Sequence, residues 1–116
     1  MKMNVKIPEL IHVGGQDIKV EIVDTIEENK LGQCSVYQGY IKIARSSLGK
    51  TQCHTSQLNT FWHEVVHCIL DTMGENELSE NEKFVLCFSS FLCEATKKAY
   101  FVEDNNTDND VQGNNR

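Results

Sequence analysis

Two segments in the second half of the chain carry apolar side chains at the spacing of an amphipathic helix. The apolar positions of the first segment are Leu58, Phe61, Trp62, Val65, Val66, Ile69, Leu70 and Met73. We expect Ser56 to cap the beginning of this helix and Gly74 to cap its end. So many apolar positions leave little of the helix surface for water, which predicts that it is buried.

The second segment is expected to begin at Ser79, an N-cap whose capping box is completed by Glu82 three residues later. Its apolar positions are Phe84, Val85, Cys87, Phe88, Phe91, Leu92 and Ala95. Only residues 75–78 separate it from Gly74, and a connection this short predicts that the two helices pack antiparallel.

The first half of the chain alternates between apolar and polar residues, as strands do. Leu10–Val13 and residues 18–23 flank a glycine-containing turn at 14–17, which predicts a hairpin with Ile18, Val20 and Ile22 facing the core. A short strand is expected at 35–37. A last strand is expected at Tyr40–Ala44, with Ile41 and Ile43 pointing inward.

Strands followed by helices, without alternation of the two, predict an α+β fold. We expect a small antiparallel N-terminal sheet packed on two antiparallel helices. The strand at Tyr40–Ala44 comes last before the helices, and an exposed edge there could hold an extended peptide by main-chain hydrogen bonds.

At 116 residues the chain is long enough for one domain, which we assign to residues 1–102. Residues 103–116 are almost purely polar, and we expect this tail to be disordered. The beginning of the chain lacks the apolar run of a signal peptide, and no stretch is long enough to span a bilayer. We therefore expect a cytoplasmic protein with no membrane partner.

The formal net charge of −6 argues against a nucleic-acid-binding surface, which relies on clustered Lys and Arg. The five cysteines are odd in number and contain no CxxC pair, so we interpret them as reduced thiols, mostly small core residues. Cys87 with Cys93, and Cys53 with His54, lack the spacing of a zinc knuckle and are not expected to bind metal.

The chemistry of the chain centres on an HExxH motif, His63-Glu64-Val65-Val66-His67, within the first predicted helix. On a helix the two histidines lie one turn apart on the same face, so both imidazoles can bind one Zn²⁺ while Glu64 faces a bound water. Burying two His and a Glu without a metal or other partners is costly. The alternative is a pair of hydrogen-bonded core histidines beside a surface Glu.

A catalytic zinc normally has three protein ligands and a water. No His follows His67, which excludes zinc proteases that complete the site with a third, downstream His. The remaining candidates are a carboxylate, a Cys, or one of the upstream histidines, His12 and His54. His12 falls in a predicted strand, where a solvated or hydrogen-bonded role is expected.

A carboxylate on the second helix is the gluzincin-type solution, and Glu82 is the first choice. Its alternative role is only to cap Ser79. Glu80 is the next candidate, followed by two acidic residues of the connection, Glu77 and Glu75. Asp71, one turn after His67, is better placed to accept a hydrogen bond from a ligand than to bind the metal itself.

Such a site would activate water at neutral pH, and Glu64 would act as general base. An additional donor is needed for the tetrahedral oxyanion, and the sequence leaves four candidates open: Tyr37, Tyr40, His54 and Tyr100. These features predict a zinc-dependent peptidase that acts on a protein or peptide. The alternative is a non-catalytic module in which a closed zinc site stabilises a protein-binding domain.

The predicted strand at 39–43, the polar loop after it, the motif at 60–67 and the second helix near Glu82 resemble small zincins of the ImmA/IrrE type. Similar compact HExxH proteins occur in phages and mobile elements. The resemblance implies that His63, His67 and Glu82 bind zinc and that Glu64 is the general base. It also implies cleavage of an intracellular protein, typically a repressor that guards a mobile element or a stress response.

Overall fold

A computed structural model describes residues 6–97 and residue 99. Its strands are β1 (Leu10–Val13), β2 (Gln16–Val23), β3 (Gly32–Ser35), β4 (Tyr40–Ala44), β5 (Ser46–Ser47) and β6 (Lys50–Thr51). Its helices are α1 (His54–Met73), α2 (Asn76–Ser79) and α3 (Glu82–Lys97), and a short 3-10 turn covers Glu27–Asn29. The predicted α+β fold is confirmed. The predicted tail at 103–116 lies outside the described residues.

Four strands form one sheet in the order β1-β2-β4-β3, and β5 pairs with β6 in a separate small hairpin. The β1–β2 and β3–β4 pairs are antiparallel, whereas β2 and β4 run parallel. The sheet is therefore mixed, and the expectation of a wholly antiparallel sheet was wrong at its centre. The segment between β2 and β4 makes the edge strand β3 before the chain returns to the middle of the sheet.

The position of β3 changes which strand has a free edge. A strand was predicted at 35–37, but β3 ends at Ser35, and Tyr37 beyond it is 95% exposed. β4 matches its predicted bounds, with Ile41 and Ile43 fully buried, yet it lies between β2 and β3. β4 therefore has no exposed edge that could hold a peptide, because β3 covers it and is itself the edge strand.

The main core lies between the sheet and α1. It is formed by Ile18, Val20, Ile41, Ile43, Phe61, Val65 and Cys68. Exposure increases along β2, from 0% at Ile18 and 7% at Val20 to 40% at Ile22. Ile22 lies on the same side of the strand as Ile18 and Val20, but it is not part of the core as predicted, because it remains partly exposed.

Helix α1 begins two residues before the predicted cap. Cys53 occupies its N-cap position and makes no capping side-chain hydrogen bond. Ser56 lies inside the helix, where its hydroxyl donates to Oε1 of Gln52 at 2.6 Å. The amide of Gln52 donates in turn to the carbonyl of Ala44 at 2.6 Å, so this buried residue attaches the start of α1 to the end of β4. At the other end, Gly74 adopts the predicted left-handed conformation, with φ of 80°.

Helix α3 is capped by Asn81 and not by Ser79. The side-chain oxygen of Asn81 accepts the backbone N–H of Phe84 at 3.1 Å. Ser79 ends α2 and is buried. Val85 of α3 packs against Val66 and Leu70 of α1 in a second apolar cluster.

Of the five cysteines, Cys68 and Cys93 are buried, Cys34 is half-buried, and Cys53 and Cys87 are exposed. All five are free, as expected, although Cys87 lies outside the predicted core. Within the described residues, no helix combines the length and the apolar character that crossing a bilayer requires.

Candidate metal site

His63, His67 and Glu82 form a group whose potential ligand atoms all lie within 4.8 Å of one another. Nε2 of His63 is 3.4 Å from Oε1 of Glu82, and Nε2 of His67 is 3.6 Å from Oε2. Ligand atoms about 2.1 Å from one tetrahedral ion are separated by roughly 3.4 Å, and each of these two imidazole–carboxylate distances is close to that value. The three side chains therefore could hold one metal ion.

Helices α1 and α3 bring His63, His67 and Glu82 together. His63 and His67 lie one turn apart on α1, with their rings 4.9 Å apart between centroids. Glu82 is the first residue of α3, which Asn81 caps. Its side chain is 68% exposed, so solvent reaches the group from this side.

The ring of His67 is oriented by Ser79, whose Oγ lies 2.9 Å from Nδ1. If Nε2 carries a metal, Nδ1 must carry the proton, and the ring then donates this hydrogen bond to the hydroxyl. Metal-binding histidines usually have such a partner, which fixes the tautomer and the ring orientation. Ser79, predicted as a helix cap, is therefore a supporting residue of the site.

Protonation of His63 is disfavoured in the folded protein. Burial lowers its pKa, and the neighbouring His67 lowers it further, whereas Glu82 opposes both effects. A neutral imidazole is the form that binds a metal ion, so the surroundings of His63 favour its ligand form.

Glu64 lies on the side of α1 that faces β3 and is only 7% exposed. Burial raises its pKa to about 7. The thiol of Cys34 hydrogen-bonds to the carboxylate and opposes this rise, Glu82 adds to it, and the charge of Lys30 also opposes it. A carboxylate that exchanges a proton near neutral pH is suited to general acid–base chemistry.

The closeness of Glu64 to β3 depends on Gly32. A Cβ at position 32 would lie 2.9 Å from Oε2 of Glu64 and 2.5 Å from Cγ2 of Thr60. Any side chain there would displace one of these neighbours. The absence of a side chain at Gly32 thus lets the edge strand pass directly beside the carboxylate.

Two clefts open next to the ligand group. A polar cleft of about 420 Å³ contains His63, Glu64, His67, Glu82 and Asp71. A larger cleft of about 620 Å³ shares His63 and Glu64 with it and extends toward the start of α1, and its apolar walls include Leu31 and Leu86. Lys30 and Gly32 line both clefts, so the edge strand runs alongside them.

The other residues considered as metal ligands do not belong to the group formed by His63, His67 and Glu82 in the described part of the chain. Glu75, Glu77, Glu80, Cys87, Cys93, Cys53 and His54 lie outside the ligand group found among residues 6–97 and 99. Asp71 is exposed and lines the polar cleft without belonging to that group. His12 pairs with Asp17 on the surface, Nδ1 to Oδ1 at 2.6 Å, as expected for a strand histidine.

The predicted oxyanion donors are not found at the two clefts. Tyr37, Tyr40 and His54 do not line either cleft within the described part of the chain, and Tyr100 is outside that part. Lys30 lines both clefts and was missed, because it lies in an irregular loop more than thirty residues before the HExxH motif. Cys34, Gly32 and Ser79 were missed as site residues for a similar reason, since only the folded chain brings them to the motif.

No protein-family model matches this chain, and no curated protein or solved structure is significantly similar to it. The function is therefore inferred from the geometry of the site and from the chemistry of its residues.

Replacing Ser79 with Ala is expected to weaken binding of a divalent transition-metal ion by about 10- to 100-fold, because His67 loses the partner that orients its ring. Competition with a chromophoric chelator measures this affinity. Ser89→Ala is the matched control, since Ser89 is also a buried serine but donates to the carbonyl of Leu86. Equal affinities of the two variants would contradict the role of Ser79.

The raised pKa of Glu64 predicts a pH-dependent stability of the metal-free protein. Between about 4.5 and about 7, the folded state retains a proton on Glu64 that the unfolded state releases, so stability decreases as the pH rises. Glu64→Gln removes this dependence. Relative to wild type, the variant should gain up to about 3 kcal/mol in free energy of unfolding across this window.

Urea denaturation in the presence of a chelator, at several pH values, measures this difference. A constant difference between Glu64→Gln and wild type from pH 4.5 to pH 7.5 would contradict the burial of an ionisable Glu64.

Proposed function

We propose that this protein is a zinc-dependent peptidase that hydrolyses a peptide bond of a protein substrate. The observation that carries the proposal is the position of Glu64 beside the group of His63, His67 and Glu82, in a cleft bordered by a free strand edge. Two imidazoles and one carboxylate are a common ligand set for catalytic zinc.

The donor set fits zinc because it combines two imidazole nitrogens with a carboxylate, and each imidazole lies within 3.6 Å of a carboxylate oxygen. When bound, zinc lowers the pKa of a coordinated water to about 7 and polarises a carbonyl oxygen. His63, His67 and Glu82 would hold the ion, and Ser79 would keep the ring of His67 in its binding orientation. The exposed side of Glu82 leaves room for solvent and substrate.

Glu64 would act first as general base and then as general acid. Its carboxylate takes a proton from the attacking water and delivers it to the leaving amine. Burial against β3 limits the rotation of its side chain, and the thiol of Cys34 provides a hydrogen bond to the carboxylate. Lys30, which lines both clefts, is a candidate to stabilise the negative charge that develops on the carbonyl oxygen.

An extended segment is the form of substrate that best suits this site. Among the described residues, β3 has a strand partner on one side only, so its other side could pair with a peptide in the manner of an added strand. The two clefts beside β3 would then receive side chains of that peptide. The resemblance of the motif region to ImmA/IrrE-type zincins makes a repressor or another regulatory protein the first substrate class to test.

The purified protein is expected to contain one zinc ion per chain. His63→Ala should abolish the binding, and Glu82→Ala should reduce it strongly, because each removes one of three ligands. Elemental analysis after purification without added metal measures the stoichiometry. Glu80→Ala is the matched control, because Glu80 is an acidic residue two positions earlier and lies outside the ligand group.

Undiminished zinc content in Glu82→Ala would contradict the proposed ligand set. Wild-type protein that binds no zinc even in modest excess would contradict the enzymatic proposal as a whole.

Glu64→Gln is expected to reduce peptide hydrolysis by at least about 10²-fold while zinc binding is retained, because Gln cannot accept the proton of the water. Digestion of a diverse library of protein-derived peptides, followed by identification of new termini by mass spectrometry, measures this loss for whichever peptides are cleaved. Glu80→Gln controls for the loss of one carboxylate near the site.

Cleavage that persists in zinc-loaded Glu64→Gln would exclude Glu64 as general base. Zinc-loaded wild type that cleaves neither the library nor a co-expressed repressor would favour the alternative of a zinc-stabilised protein-binding module.

A further inference from the structure

The face of α1 opposite the metal ligands borders an apolar groove of about 580 Å³. At 100° per residue, Leu58, Trp62, Val65 and Ile69 share this face, and His63 and His67 point the other way. The other wall consists of β1 and the residues before it, so the groove lies between an edge strand and the main helix.

Several apolar side chains of this groove remain uncovered. Met73 is 65% exposed, Ile69 is 38% exposed, and Trp62 is only partly buried. Apolar groups concentrated in one concave surface gain free energy when another apolar segment covers them. The groove therefore has the character of a site for apolar side chains.

One end of the groove is formed by the last turn of α3. Thr96 lines it together with Leu58, and Lys97 is the last residue of the helix. Residues 100–102, which follow shortly after, have the sequence Tyr-Phe-Val. Four residues beyond Thr96 can span up to about 14 Å when extended, so Tyr100 is within reach of the groove without any change in α3.

The sequence around residues 100–102 also matches the groove in charge. Glu103 and Asp104 follow the apolar residues, and Lys6 lines the groove at the chain segment before β1. An acidic pair would therefore meet a basic side chain when the apolar residues enter. Two aromatic rings bring a large apolar surface with few rotatable bonds, which suits them to covering such a groove.

We propose that residues 100–102 dock in the groove between β1 and α1, with Tyr100 and Phe101 covering Trp62, Ile69 and neighbouring side chains. The first residues of the chain are the competing occupant, because they also lead away from Lys6. Their apolar residues Met1, Met3 and Val5 alternate with Lys2 and Asn4, so they offer no contiguous apolar run. A second copy of the chain is the other competitor.

Trp62 is the only tryptophan of the chain, and its fluorescence reports directly on the groove. In the full-length protein, Phe101→Ser and Tyr100→Ser should shift the emission maximum of Trp62 to longer wavelength and increase its quenching by acrylamide. Val111→Ser is the matched control in the polar tail, and Met3→Ser tests the other end of the chain; neither should change the emission. Far-UV circular dichroism confirms that the variants are folded.

A photo-crosslinking experiment tests the same proposal without removing an aromatic ring. Phe101→p-benzoylphenylalanine should crosslink to groove residues such as Ile11, Trp62, Ile69 or Met73 of the same chain. Mixing light and heavy isotope-labelled protein distinguishes crosslinks within one chain from crosslinks between two.

Crosslinks between chains, or no crosslink to the groove, would overturn the proposal. So would a red shift in Met3→Ser with unchanged emission in both Tyr100→Ser and Phe101→Ser, which would assign the groove to the N-terminal residues.

Discussion

The close approach of α1 to the edge strand β3 at Gly32 is the contact on which the candidate site depends. Because position 32 has no side chain, Glu64 and Thr60 can pack directly against the strand. This contact buries Glu64, raises its pKa and brings its carboxylate close to the thiol of Cys34. The same contact places β3, which is an edge strand among the residues that the structure describes, beside the cleft that contains the histidines. Local packing thus determines both the protonation of a carboxylate and the route by which a peptide could approach it.

Features encoded by short stretches of sequence could be predicted well. The helical spacing of His63 and His67, the left-handed cap at Gly74 and the buried alternation in β4 each depend on residues that are close along the chain. The structure places Glu82 beside the two histidines, as the sequence predicted, but part of the reasoning behind that prediction was wrong. The predicted capping box with Ser79 does not form, because Asn81 caps α3 instead. The predicted position of Glu82 near the histidines nevertheless agrees with the structure. The connection after α1 is short, so it restricts where the next long helix can begin.

Features that depend on distant parts of the chain could not be predicted. Parallel pairing of β2 with β4 is possible because the chain forms the edge strand β3 between them and then returns to the middle of the sheet. No residue pattern distinguishes this topology from an antiparallel meander. The alternation along β2 predicts which side Ile22 faces, but not that its side chain is 40% exposed. The partners of the HExxH residues were missed for the same reason: Cys34 is thirty positions from Glu64, and Ser79 is twelve from His67.

Helix α1 carries apolar side chains and ionisable side chains on different faces. One face is apolar and packs on the sheet, whereas His63 and His67 lie on another side, near Glu82 at the start of α3. Burial alone would make these imidazoles unfavourable, but Glu82 and Ser79 supply polar partners at 2.9 to 3.6 Å. Because Glu82 is largely exposed, these partners satisfy the histidines without sealing them from solvent. Solvent access of this kind is a requirement for any site that is to accept a water and a substrate.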